Sequence, residues 1–150
     1  MMLGPVLSFL AIILTALALV PAGAHLFALP NKISLPQESY FIAQGIYRGW
    51  ALLGIVLIAA MLVNLACAVV LRDRAIAFLL SLGAFVCLAV NLVIFFLVTF
   101  PANQATKNWT VVPADWAALR LQWEYSHAVN AVLTFVALCL ATGSVYAQRD

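Results

Sequence analysis

The chain has 150 residues, 67% of them hydrophobic and 8% charged, with a net charge of +2 and a mean hydropathy of +1.13. Soluble domains carry about a quarter charged residues, so water is excluded as the solvent for most of this surface. Scattered cations without a basic run exclude nucleic acid as a partner.

Four apolar runs, at about residues 6–29, 50–71, 75–100 and 127–146, are long enough to cross about 30 Å of hydrocarbon at 1.5 Å per residue. A bilayer offers no partner to free backbone N–H and C=O groups, so each run must be a helix. The predicted fold class is all-α: residues 1–150 as a single four-transmembrane-helix bundle, left-handed and in up-down-up-down order.

The first run passes through Pro21 and an Ala22-Gly23-Ala24 sequence of cleavage-site type. No Lys or Arg precedes it, so it reads as a retained span, kinked by Pro21, that carries His25. A long connection from Pro30 to Gly49 follows. Near its end Gln44, Tyr47 and Arg48, at i, i+3 and i+4, are expected to share one helical face at the membrane mouth. Gly45 and Gly49 form a small-x-x-x-small pair that reads as helix packing. Only Arg72, Asp73 and Arg74 join the second and third runs, which predicts a tight hairpin. Asn64 and Asn91, inside the spans, are expected to make interhelical hydrogen bonds. Cys67, Cys87 and Cys139 fall within apolar runs, at spacings of neither a metal knuckle nor a redox pair, and read as small buried hydrophobes.

The second long connection runs from Pro101 to Ser126. Pro113 suits a first helical turn and Asp115 a helix N-terminus, so Thr110 to Ser126 is predicted as an ordered helix continuous with the fourth span. At about 100° per residue, Trp116, Arg120, Trp123, His127, Asn130 and Thr134 then fall in a stripe about 80° wide, bordered by Glu124. A polar stripe descending into hydrocarbon must face protein or a pocket. All four tryptophans, both histidines, Tyr40, Tyr47 and Tyr125 lie on the loop side, whereas an aromatic belt decorates both interfaces.

The catalytic candidates are therefore His127, Arg120 and His25. The substrate-binding candidates are Trp116, Trp123, Gln44, Tyr47, Arg48, Asn103 and Asn130. His25 and His127 enter from the same face, which admits a bis-histidine haem. With Glu124 the one carboxylate beside them and no HxxxH or ExxH spacing, no metal site is assigned and no cofactor is identified. Arg72, Arg74 and Arg149 mark the terminal side; Lys32, Arg48, Lys107 and Arg120 mark the loop side. A bare count favours loops inside. Assigning Arg48 and Arg120 to the site instead leaves the termini cytoplasmic, in the inner membrane if the chain is bacterial.

The pattern Pro113-x-x-Trp116-x-x-Leu119-Arg120-x-x-Trp123-Glu124-x-x-His127, preceded by Pro101-x-Asn103 and by Gly23-x-His25 to Pro30-Asn31-Lys32, resembles the anthrone oxygenase-like family of small four-helix membrane proteins. The resemblance extends over nearly the whole chain. It implies a membrane-embedded oxygenase type of activity on flat polyphenolic compounds without a flavin or nucleotide motif, and Arg120, Trp123 and His127 match it residue by residue.

Two functions follow as expectations. One is an enzyme acting on a small aromatic or quinone-like molecule, with His127 as general base, Arg120 holding an oxyanion and Trp116 and Trp123 stacking on the ring. The other is a non-catalytic subunit docking a partner protein or lipid through its loop-face aromatics. The lipid bilayer is a partner in both, and a homo-oligomer is left open.

Overall fold

A computed structural model describes residues 3–148, all helix and turn, with no strand among the described residues. The helices are α1 (Leu3–Lys32), α2 (Gln37–Gln44), α3 (Gly54–Val70), α4 (Ala75–Ile94), α5 (Phe100–Ala105) and α6 (Trp116–Tyr146). Two 3-10 turns, Gly45–Tyr47 and Trp50–Leu53, lead into α3, and a π-helical turn, Phe95–Thr99, joins α4 to α5. Arg149, counted above on the terminal side, lies outside the described residues.

Among the described residues four stretches are long and apolar enough to cross a membrane: Leu3–Lys32, Trp50–Val70, Ala75–Ala105 and Trp116–Tyr146. Their outward faces carry side chains that a soluble protein would bury, with Phe27 81% and Leu97 72% exposed. The chain is an integral membrane protein of four apolar helices.

In the bundle α1 packs against α3 and α6, and α4 packs against the same two. Lipid tails are as apolar as leucine, so helices gain by close backbone approach rather than by burying large side chains. The central layer accordingly holds Ala60, Ala84, Ala137 and Ala141 around Leu88. A Cβ on Gly83 would stand 3.2 Å from Leu140 Cδ1. Toward the chain termini Leu7 and Ala11 meet Val63, Cys67, Leu71, Ala77 and Ala147. There Gln148 Nε2 donates to Ser8 Oγ at 3.1 Å, and Arg74 donates to the Gln148 carbonyl.

The two membrane asparagines make the bonds expected of them. Asn64 Nδ2 donates to Thr15 Oγ1 (3.1 Å), and Asn91 Nδ2 donates to Thr134 Oγ1 (2.9 Å) and to the Asn130 carbonyl (3.1 Å). The cysteines are unpaired, Cys67 buried and Cys139 exposed.

Several boundaries differ from the sequence reading. α1 runs through Pro21 and on past Pro30 to Lys32, because a proline in a last turn removes one N–H from a ladder about to end. The third span continues through Pro101 to Ala105. Pro101 can donate nothing to the Leu97 carbonyl, and the π turn opens the ladder at that point, where Gln122 Nε2 donates to the Val98 carbonyl (2.7 Å). α6 starts at Trp116, so the ordered helix expected from Thr110 is shorter by nearly two turns. Pro113 lies before the cap residue Asp115, and its carbonyl accepts from the Trp116 N–H (3.2 Å).

The single helical face expected for Gln44, Tyr47 and Arg48 is not formed. The chain leaves the α-helix after Gln44 and turns at Gly49, whose φ of 86° is left-handed. Gly45 and Gly49 have nothing within 4 Å of an added Cβ, so they pack no helix and serve the turn instead.

Candidate functional site

The loop between α5 and α6 sets the roof of the site. Lys107, Asn108 and Trp109 are all left-handed, with φ of 47°, 55° and 64°. Such a residue costs about 1–2 kcal/mol outside glycine, and here hydrogen bonds to the end of α5 offset the strain. The Asn108 N–H donates to the Asn103 carbonyl (2.7 Å), the Thr110 and Val111 N–H groups to the Thr106 carbonyl (both 3.0 Å), and the Trp109 N–H to Thr106 Oγ1 (3.1 Å). The turn drives Trp109 into a buried cluster with Tyr40, Ala102 and Trp123. Asn103 Oδ1 accepts from both indoles, Trp123 at 2.9 Å and Trp109 at 3.3 Å.

Beneath this roof the histidines meet. His25 of α1 and His127 of α6 stack with ring centroids 4.1 Å apart and planes 25° from parallel. Tyr47 (4.3 Å), Trp123 (5.0 Å) and Trp50 (5.5 Å) surround His25, and Trp123 also lies 4.2 Å from His127. His25 is buried, and its Nδ1 has no hydrogen-bond partner among the described residues. An outward-facing apolar groove of about 490 Å³ between α1 and α6 is lined by Gly23, Ala24, Leu26 and Phe27 on one side and Ala131, Val132 and Phe135 on the other. Its lining flanks His25 in sequence and begins one helical turn after His127.

Beside the histidines stands a buried ionic chain. Lys32 Nζ is 2.8 Å from Glu124 Oε1, with both side chains almost wholly enclosed. The same carboxylate oxygen accepts from the Tyr40 hydroxyl (2.9 Å), and Gln44 Nε2 donates to that hydroxyl. Tyr40 spends its one proton on Glu124, so Gln44 must present its NH2. Burial and the Glu124 charge push the Tyr40 phenol well above the usual tyrosine range, which keeps it a donor. The Lys32 ammonium also sits over the faces of Tyr47 (4.4 Å) and Trp123 (4.8 Å).

Of the sequence-predicted residues, the structure brings together His25, His127, Trp123 and Tyr47. Gln44 belongs to the adjoining ionic chain. Asn103 is engaged by the two indoles, and the Asn130 carbonyl by Asn91 and Thr134. Arg120 lies further out: it donates to the Leu35 carbonyl (2.8 Å) and stacks over Trp116 at 4.8 Å. Arg48 is exposed, outside the cluster.

Sequence reasoning quoted Lys32 in the family pattern and counted it as an interface charge, and read Glu124 as the border of the stripe and the one carboxylate beside the histidines, but paired neither with the other. Their opposite charges on the loop side of two spans were the available signal. Among the described residues no three His, Cys, Asp or Glu side chains gather as metal donors. Set against family models, curated proteins and solved structures, the chain matches none.

Proposed function

We propose that this membrane protein binds a small aromatic or quinone-like molecule at its loop face, with the stacked His25–His127 pair at the centre of the site. The observation that carries this is two histidines 4.1 Å apart inside a box of Tyr47, Trp50 and Trp123, an arrangement that costs side-chain freedom and desolvation and does little for helix packing. The inward setting of the aromatics favours a ligand over a docked partner protein: Trp109 and Trp123 are buried, and Trp50 and Trp116 are half-buried.

The resemblance to anthrone oxygenase-like proteins extends the proposal from binding to oxygenation, with dioxygen as the oxidant and electron acceptor. In that chemistry His127 takes a phenolic or carbon-bound proton and Trp123 stacks on the ring. Arg120, engaged with Leu35 and Trp116, leaves Lys32 as the cation that shares ring neighbours with the histidines.

The up-down-up-down order is part of the same proposal. It is supported by the layer near the termini, where the start of α1 meets the end of α3 and the start of α4. Charge does not choose a side for the termini: Lys32 and Arg120 are tied up within the protein, and the exposed Arg48 and Lys107 of the loop face match the exposed Arg72 and Arg74 of the terminal face.

The test is His127→Ala, assayed in nanodiscs with menadione as the probe, by quenching of tryptophan fluorescence and by thermal melting of the same samples. Binding should be lost, with little change in melting. A histidine that merely ties helices would instead cost about 0.6–2 kcal/mol of stability and leave binding intact.

A further inference from the structure

Tyr40 of α2 is completely enclosed, with 0% of its surface exposed. Its hydroxyl donates to Glu124 Oε1 (2.9 Å) and accepts from Gln44 Nε2. Its ring lies 5.2 Å from Trp109 and 6.4 Å from Trp116, and the Arg120 guanidinium carbon stands 5.5 Å from the ring centre. The indoles join it to the histidines. Trp109 is 5.8 Å from Trp123, which is 4.2 Å from His127 and 5.0 Å from His25. A chain of rings near van der Waals contact therefore runs from the histidine box to Tyr40 and on to Trp116, which is half-buried. The left-handed backbone at Trp109 is local strain that places the ring bridging Trp123 and Tyr40.

Helix fastening does not account for the hydroxyl. Glu124 already has Lys32 at 2.8 Å, and apolar residues at positions 40 and 44 would fill the same space without desolvating two more polar groups. Indoles and phenols are, with thiols, the side chains most easily oxidised by one electron, and a phenol gives up its electron far more readily when a base takes its proton at the same moment. Here that base is in place.

We propose that Tyr40 is a redox-active tyrosine: on one-electron oxidation through the indole chain it passes its phenolic proton to Glu124 and stands as a neutral radical. Electron loss makes a phenol a strong acid, and the carboxylate oxygen 2.9 Å away receives the proton. The Arg120 guanidinium beside the ring disfavours a cationic radical, so the vacancy can rest on Tyr40 only once the proton has gone. Burial and the Glu124 charge keep the phenol protonated until then.

The oxidant in the protein is a peroxyl radical, formed where dioxygen meets a ligand radical in the histidine box. It gains one electron by way of Trp123 and Trp109 and one proton from protonated His127, and becomes a hydroperoxide. Tyr40 supplies that electron and Glu124 takes its proton. A thiol reaching Trp116 from the aqueous side returns the electron, its own proton passing to water, and Glu124 returns the proton to Tyr40. The chain thus drains a stray radical from the site. That role rests on the oxygenation reading, whereas the oxidation of Tyr40 itself needs no ligand.

The experiment photo-oxidises the full chain in nanodiscs with ruthenium tris-bipyridine and persulfate, which removes single electrons with the histidine box empty. Illuminated samples are frozen for electron paramagnetic resonance. Wild type should give a neutral tyrosyl spectrum that narrows when the protein is made with ring-deuterated tyrosine. Tyr40→Phe should lose that signal. A variant keeping Tyr40 alone of the four tyrosines, through Tyr47→Phe, Tyr125→Phe and Tyr146→Phe, should retain it. Glu124→Gln keeps an acceptor oxygen but removes the base, and should lose it. A purely tryptophanyl spectrum in wild type, an undiminished tyrosyl signal in Tyr40→Phe, or none in the protein keeping Tyr40 alone would each overturn the redox tyrosine and leave the aromatic site standing. A full signal in folded Glu124→Gln would overturn the proton transfer. The wild-type spectrum and the reciprocal tyrosine variants decide even where Glu124→Gln does not fold.

Discussion

The middle of the bundle and its loop end treat polar groups in opposite ways. In the middle, Asn64 and Asn91 are isolated amides that hand their N–H groups to a threonine hydroxyl on the neighbouring helix and to a backbone carbonyl. Each tie is local, and alanine fills the space around it. At the loop end Lys32, Glu124, Tyr40 and Gln44 are chained through shared atoms, so no member can be removed without stranding another. The orphaned atoms Asn64 Oδ1, Ser81 Oγ and Asn130 Oδ1 stand singly, whereas Lys32, Gln44 and Glu124, linked by shared contacts, each carry one. Polar groups in a membrane protein therefore differ less in cost than in connectivity: the isolated ones fasten helices, and the connected ones form a site.

That contrast is most exposed to Glu124→Leu. Removing one partner of an enclosed ion pair leaves the other charged and unpaired, at about 3–5 kcal/mol. The melting point should fall further than for any single change in the middle layer. The double change with Lys32→Met should recover much of the loss, and a double variant as unstable as Glu124→Leu alone would mean that the pair is not the unit of energy.

Next in size is Tyr40→Phe, which takes a donor from Glu124 and strands the Gln44 amide and should cost about 1–3 kcal/mol at neutral pH. Its dependence on pH has a definite sign. The folded phenol titrates above its usual range, so the folded state holds the proton that the unfolded chain gives up near pH 10. Tyr40 therefore stabilises the protein fully below about pH 10 and less above it. The gap in melting point between wild type and Tyr40→Phe should narrow as the pH rises past that value. A gap that widened instead would mean that the phenol ionises more easily in the fold than out of it.

The smallest effect belongs to Asn91→Leu. It should cost about 0.6–1.7 kcal/mol of stability and leave binding of menadione unchanged. Lost binding in that variant would erase the distinction between fastening and site-forming groups.

Much of the fold was legible because the bilayer removes choices. Where the backbone must satisfy itself, 20 apolar residues can be little else than a helix, and the four spans follow from hydropathy. His127 and Trp123 were legible for a related reason, since they lie on a polar stripe that lipid cannot face. What periodicity could not supply was the partner on another helix. Lys32 and Glu124 are distant in sequence, and each alone reads as an ordinary interfacial charge. The helical spacing of Gln44, Tyr47 and Arg48 misled because it assumed a continuous helix, whereas α2 ends at Gln44, which meets Tyr40 one turn back, and the 3-10 turn after it carries Tyr47 to His25.

The π turn at Phe95–Thr99 has a consequence for phase. Asn91 reaches Asn130 and Thr134 on α6, and Asn103 reaches Trp123 on the same helix. Twelve α-helical steps separate the two asparagines by about 120° around the axis, which would point one of them away. A π turn absorbs one residue without advancing the helix, so the twelve positions behave as eleven, and eleven steps close three turns to within about 20°. The bulge thus works as a clutch between two halves of one rod: below it the rod keeps the helices together, and above it the same inward edge delivers an amide oxygen to the indoles that roof the histidines.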